Sequence, residues 1–180
     1  SLHAWLEQVA PRLVAVHDQD SLRQHRRALM ATRPDLAHDL SLVRRIALAE
    51  LFADFGYPAA LADEGLALFL EQRQRVAPYA EVAQVLRALA PRYCLVSVTN
   101  GNADVARSPL CGLFHCSLTA AEAGAARPDP ALFRLALEWA DVPAEQCLHI
   151  GDDPYLDVAA ARDVGIDTVW VDRSCRPWPA

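Results

Sequence analysis

Leu148-His149-Ile150-Gly151-Asp152-Asp153-Pro154-Tyr155-Leu156-Asp157 is the stretch whose reading decides the fold. A short apolar run ends at a glycine and then releases three carboxylates within six positions. Apolar runs of this kind read as buried parallel strands. Ligand sites in open α/β sheets lie just past the carboxyl ends of such strands. Carboxylates crowded together there repel one another unless a cation or hydrogen bonds hold them. A hard divalent cation that prefers oxygen, Mg²⁺, meets that need. Helix capping is the competing explanation, because Asp caps helices and suits βα turns.

Working outward, composition narrows the classes. The 180 residues are 53% hydrophobic, enough for one domain with a small companion. A net charge of −6 argues against nucleic acid or an anionic membrane as partner. The five cysteines (94, 111, 116, 147 and 175) form no CxxC pair. Their odd number suits free thiols in a reducing compartment, so a cytoplasmic location is expected. No apolar run of about 18 residues suggests a membrane span, and no secretory signal opens the chain.

Residues 2 to about 75 read as helices at Leu2–Leu13, Leu22–Ala31, Ser41–Phe55 and Leu61–Val76, with Asp20-Ser21 as a capping region. Four such helices make a small bundle. From Pro78 the pattern changes. A helix over Ala80–Leu89, with Val82, Val85, Leu86 and Leu89 inward, leads to a strand over Tyr93–Val98. A helix is expected from Ala103, a short strand at His115–Thr119, and a helix at Pro130–Ala140. The strand Gln146–Ile150, the helix Pro154–Val164 closed by Gly165, and a strand at Asp167–Val171 follow. Alternating strands and helices of these lengths imply βαβ units and a parallel sheet. The expected division is therefore a helical domain, 1–77, and an α/β domain, 78–180. The tail 173–180 is expected to be irregular.

Three loops after strands carry polar chemistry. Thr99-Asn100-Gly101 offers a hydroxyl, an amide and a permissive backbone, which suit either a phosphate cradle or a capping turn. In Arg127-Pro128-Asp129-Pro130, Pro128 disfavours the α region for Arg127 and Pro130 suits the first turn of a helix. A cation on that turn can reach an anion above the sheet, or it is simply solvated. With Asp152, Asp153 and Asp157, these are the parts that hold phosphate and Mg²⁺ during phosphoryl transfer.

The order Val-Thr-Asn-Gly, Arg-Pro-Asp-Pro-x-x-Phe and Gly-Asp-Asp-x-x-x-Asp resembles motifs two, three and four of the haloacid dehalogenase (HAD) superfamily over residues 94 to 172. The resemblance implies a three-layer Rossmann-like parallel sheet with an α-helical cap at residues 2–75. It implies a Mg²⁺-dependent hydrolase of phosphate monoesters that works through an aspartyl-phosphate on a small phosphorylated metabolite. Thr99, with Asn100 and Gly101, would bind the phosphoryl group. Arg127 stands where the family usually has Lys, which exchanges a point charge for a planar fork. Asp152 would be the main Mg²⁺ ligand, with Asp153 and Asp157 as further or orienting acids. The details Thr-Asn-Gly-Asn and Gly-Asp-Asp-Pro resemble bacterial phosphatases of flavin biosynthesis, which act on phosphoribityl compounds including FMN.

The family's first motif, Asp-x-Asp-x-Thr, carries the nucleophile and the general acid/base. Asp18-Gln19-Asp20-Ser21 has the spacing, but it follows an amphipathic helix, His17 interrupts the apolar lead-in, and Ser21 replaces Thr. A capping turn explains it. The expectation is thus a sheet without its central first strand, from a chain truncated at its N-terminus and inactive alone. A non-catalytic phosphometabolite-binding module and a haloacid dehalogenase are the alternatives. The acid-rich Gly-Asp-Asp stretch counts against a dehalogenase, which needs no Mg²⁺. A response-regulator or flavodoxin-like domain would not need the helical half. Substrate identity and oligomeric state are not legible in the sequence.

Overall fold

The computed structural model describes residues 1–75, 77–175 and 178. They form two compact units: residues 1–83 with 102–111, and residues 84–101 with 112–180.

The first unit is helical. Its elements are α1 (Leu2–Val9), α2 (Pro11–Val14), α3 (Gln19–Thr32), α4 (Leu40–Asp54) and α5 (Leu61–Arg73). The single helix expected over 2–13 is broken at Ala10, because Pro11 starts a new helix at its own first turn. The cap of α3 is Asp18, whose carboxylate accepts from the Ser21 N–H at 2.8 Å; Asp20 lies inside the helix and pairs with Arg23. Asp39 caps α4 through the N–H groups of Ser41 and Leu42. The apolar stripes meet in a core of Leu6, Leu13, Leu48, Leu51, Phe52 and Ala62. Trp5 and Tyr57 pack edge-on to Phe52, with ring centroids 6.3 and 6.4 Å away. Gly65 lets α5 close on this core: a Cβ there would meet Trp5 at 3.0 Å and Leu48 at 3.2 Å. In place of the further helix expected from Ala103, only a 3-10 turn forms at Val105–Arg107. Val76, the expected end of the fourth helix, lies outside the described residues; α5 ends at Arg73.

The second unit is α/β. Its elements are β1 (Val96–Thr99), β2 (Cys116–Thr119), α7 (Ala120–Ala123), α8 (Ala131–Ala140), β3 (Leu148–Gly151), a π-helical turn at Pro154–Ala159, α9 (Ala160–Arg162) and β4 (Asp167–Trp170). The helix α6 (Val82–Leu89) precedes β1. The strands pair in parallel as β1–β2 and β3–β4, and no ladder joins β1 to β3 among the described residues. This is the α/β class expected, with the ladder interrupted where the expected sheet lacks a strand. The short α7 is an addition to the expected elements, although Thr119-Ala120-Ala121-Glu122 spells a capping box that both side chains satisfy.

One face of the strands is covered. Phe133, Ala160, Ala161 and Ile166 form its core, with Val98, Leu137 and Val164 packed against them. The other face of β3–β4 is open: Leu148 is 58% and Ile150 55% exposed. The apolar run that reads as buried on both sides is therefore buried on one, because nothing among the described residues covers the other. In α6 none of the four apolar residues expected to face inward is fully buried: Val82, Leu86 and Leu89 are half-buried and Val85 is 48% exposed.

Phe52 is fully buried at the centre of the helical core. Phe52→Ala is expected to destabilise the helical unit by about 3–5 kcal/mol, read as an earlier urea midpoint by circular dichroism at 222 nm.

Candidate active site

All residues singled out for phosphate and metal chemistry lie in the second unit, at the carboxyl ends of β1 and β3 and in the turn before α8. The loop after β1 turns back on itself: the Gly101 N–H donates to Thr99 Oγ1 at 2.9 Å. Asn100 reaches the second loop. Its Nδ2 donates to the Arg127 carbonyl at 3.0 Å, while its Oδ1 accepts from the Arg127 N–H at 2.8 Å. The amide thereby pairs with one backbone residue as a strand neighbour would. It ties two loops 27 residues apart in sequence into one surface. The Arg127–Pro128 peptide is cis.

The third loop is organised by Asp157. The turn at Pro154–Ala159 is π-helical, with the Val158 N–H reaching the Asp153 carbonyl at 3.2 Å. A widened turn of this type redirects a side chain and is common at functional sites. Here Asp157 folds back under the chain. Its Oδ2 accepts from the N–H groups of Asp152 and Asp153, each at 3.0 Å. Its Oδ1 pairs with the Arg127 guanidinium and lies 3.3 Å from His149 Nε2. Gly151 makes room for this, since a Cβ there would overlap the Asp157 carboxylate. Asp157 is 5% exposed.

Both Asp157 oxygens are thus committed within the protein. Asp153 Oδ1 caps the following turn by accepting from the N–H groups of Tyr155 and Leu156. The Asp152 carbonyl accepts from Trp170 Nε1 at 3.1 Å. Asp152 and Asp153 provide hard oxygen donors of the kind Mg²⁺ prefers. Among the described residues, however, no group of three or more His, Cys, Asp or Glu side chains is placed to hold a metal ion. The acid turn by itself is an incomplete donor set.

Charge in this cluster follows burial. Burial pulls the Arg127 guanidinium below its usual range, and the carboxylates of Asp153 and Asp152 pull it back up. An arginine so shifted still carries its proton at neutral pH. Burial, and then the Arg127 charge, lower His149 to about 4. A carboxylate 3.3 Å away would ordinarily raise an imidazole. Here burial, and then the Arg127 charge, outweigh it. A neutral His149 protonated on Nε2 donates to Asp157, while its ring stands edge-on to Phe133 at 4.9 Å. Sequence reasoning gives neither His149 nor Phe133 a role of its own. The available signal is a polar residue alternating with apolar ones in β3.

The structure places Asp18 and Asp20 at the start of helix α3, in the helical unit, and not at the end of a strand.

Residues 3–165 match the family model of haloacid dehalogenase-like hydrolases. The chain belongs to that family. It is 30% identical over 165 residues to the 5-amino-6-(5-phospho-D-ribitylamino)uracil phosphatase YigB of Escherichia coli K12, covering 89% of this chain and 69% of the relative. It is 38% identical over 115 residues to a phosphoserine phosphatase of Thermus thermophilus, covering 61% of this chain and 46% of the relative. Among solved structures, a 2-haloacid dehalogenase from Pseudomonas syringae pv. tomato DC3000 superposes with a TM-score of 0.92 at 36% identity, over 99% of this chain and 79% of that one. The HAD fold and membership of a hydrolase family follow. The Escherichia coli and Thermus thermophilus relatives are named as phosphatases and this structural relative as a dehalogenase.

Two outcomes test the cluster. Gly151→Ala is expected to push Asp157 off the Asp152 and Asp153 amides, seen as lost protection of both N–H groups in hydrogen exchange. The His149 imidazole is expected to titrate near pH 4 by NMR rather than near 6.5. Its folded pKa lies below its unfolded one, so the unfolded chain binds the extra proton between those values. Stability from a neutral His149 is complete above pH 6.5 and is lost as pH falls towards 4. His149→Gln should flatten that part of the stability profile.

Proposed function

We propose that the second unit is the phosphate-handling part of a hydrolase of phosphate monoesters, and that the helical unit is its cap. The observation that carries this is the Asn100–Arg127 pairing, which sets a hydroxyl loop and a fixed cation on one surface. On this reading Thr99 Oγ1 and the amides of the Asn100-Gly101 turn bind phosphoryl oxygens. Arg127 lends its remaining N–H donors and its charge where negative charge develops. Asp152 and Asp153 face the metal side, and Asp157 holds their backbone in position. Mg²⁺, when bound, supplies charge stabilisation at the phosphoryl oxygens, and it needs donors beyond those two carboxylates.

The nucleophile of an aspartyl-phosphate mechanism is not supplied by Asp18 or Asp20, which serve α3 as a cap and as an ion-pair partner. The names of the phosphatase relatives support a small phosphorylated substrate, and the free cysteines fit a reducing, cytoplasmic compartment. The name of the first of them supports a phosphoribityl compound. Haloacid dehalogenation is the second reading, favoured by the 0.92 superposition. A surface that pairs a fixed cation with two metal-suited carboxylates fits a phosphate ester better than a haloacid.

The test combines binding and turnover. Inorganic phosphate is expected to bind the wild-type chain, and Thr99→Val to weaken it by roughly tenfold, the scale of one charge-assisted hydrogen bond. p-Nitrophenyl phosphate with Mg²⁺ should give no turnover by this chain, in which Asp18 and Asp20 sit at the start of helix α3. Absence of phosphate binding, or chloride release from 2-chloropropionate, would overturn the phosphatase reading. Turnover abolished by Asp18→Asn would overturn the capping role of Asp18.

A further inference from the structure

The helical unit holds a feature that the phosphate-handling surface does not use. Leu2, Leu22, Leu48 and Leu51 line a small cleft with Arg26 and Arg44. These residues come from α1, α3 and α4, so the cleft is internal to that unit. The two arginines differ from their neighbours. Arg23 pairs with Asp20, Arg45 with Asp63 and Arg75 with Glu71, all on exposed positions. Arg26 and Arg44 are half-buried, and no carboxylate among the described residues pairs with either.

Instead, Arg44 stacks on Phe69, with Cζ 3.2 Å from the ring centroid. Such stacking offsets part of the cost of desolvating a cation but leaves its in-plane N–H donors open. The surroundings of Arg44 are cationic. Burial, and then the charges of Arg26 and Arg73, lower Arg44 to about 9. Burial, with Arg23 and Arg27, lowers Arg26 as well. Buried charges are ordinarily paired, and like charges brought together out of water are costly. In a protein of net charge −6, two arginines without a carboxylate partner over a leucine floor are complementary to a ligand the chain does not itself supply.

We propose that this cleft binds a small amphiphilic anion: Arg44 and Arg26 take a carboxylate or phosphate headgroup, and the leucines take the short apolar body that carries it. The proposal stands on the helical unit alone and does not depend on the phosphatase reading.

Calorimetry and thermal melting of the chain with hexanoate, hexyl phosphate, hexanol and inorganic phosphate test it. Hexanoate or hexyl phosphate should bind and raise the melting temperature, the tighter of the two identifying the headgroup. In the Thr99→Val chain, where the phosphate surface is weakened, hexanol and inorganic phosphate, each carrying half of the recognition, should bind at least about tenfold more weakly than the better amphiphile. Arg44→Met should fold, with a ligand-free melting temperature equal to or above wild type, because it removes a half-buried charge that lacks a counter-ion. It should lose the ligand-dependent rise. Arg26→Gln gives the same readout should Arg44→Met fail to fold. Thr99→Val should keep hexanoate binding intact, which separates this site from the phosphate surface. Binding of neither amphiphile, hexanol as effective as hexanoate, or unchanged binding by a folded Arg44→Met would overturn the proposal.

Discussion

The buried pairing of Arg127 with Asp157 is the constraint on which the second unit depends. One carboxylate collects a guanidinium, an imidazole and two backbone N–H groups, and so joins the turn before α8 to the turn after β3. An ion pair out of water returns little net stability by itself, because desolvation costs offset the attraction. Its value here is geometric. With both Asp157 oxygens engaged, the acid turn has one arrangement, and Asp152 and Asp153 are held at its rim. Removing either partner would leave an uncompensated charge among Phe133, His149 and the strand backbone.

Three local features make that pairing possible. Gly151 has no side chain to occupy the space of the carboxylate. The π-helical turn swings Asp157 inward when a regular α-turn would carry it elsewhere. Asn100 holds the Arg127 backbone from the other side, so the guanidinium approaches from a fixed origin. His149 stays neutral because burial, and then the same cation that satisfies Asp157, disfavour a second positive charge. Phosphate chemistry on this surface would therefore rest on a prearranged frame, as electrostatic stabilisation of developing charge requires.

The helical unit follows a different logic. Its core is packed from leucines and a phenylalanine, and its exposed ion pairs are individually weak. The exception is the half-buried arginine pair over a leucine cleft, where charge is placed without a carboxylate partner among the described residues. The open apolar face of β3–β4 is a second departure from ordinary burial: Leu148 and Ile150 sit in solvent although their pattern is that of an interior strand.

Much is legible in the sequence. Apolar runs ending in Gly-Asp-Asp and Thr-Asn-Gly determine two strand ends, and with Arg-Pro-Asp-Pro they determine the family and the α/β class, because strand period and turn chemistry are local properties. A helix-capping turn in place of a nucleophile is also readable, since the residues before it follow a helical period, although the capping carboxylate is Asp18 and not the expected Asp20. What only the tertiary structure decided is which polar groups meet. Nothing local shows that Asn100 spends both ends of its amide on Arg127, that Asp157 turns away from the rim, or that His149 joins it. Each of these pairings spans separate loops, and partner choice across loops is set by how strands and turns pack, through backbone geometry that residue type alone leaves open.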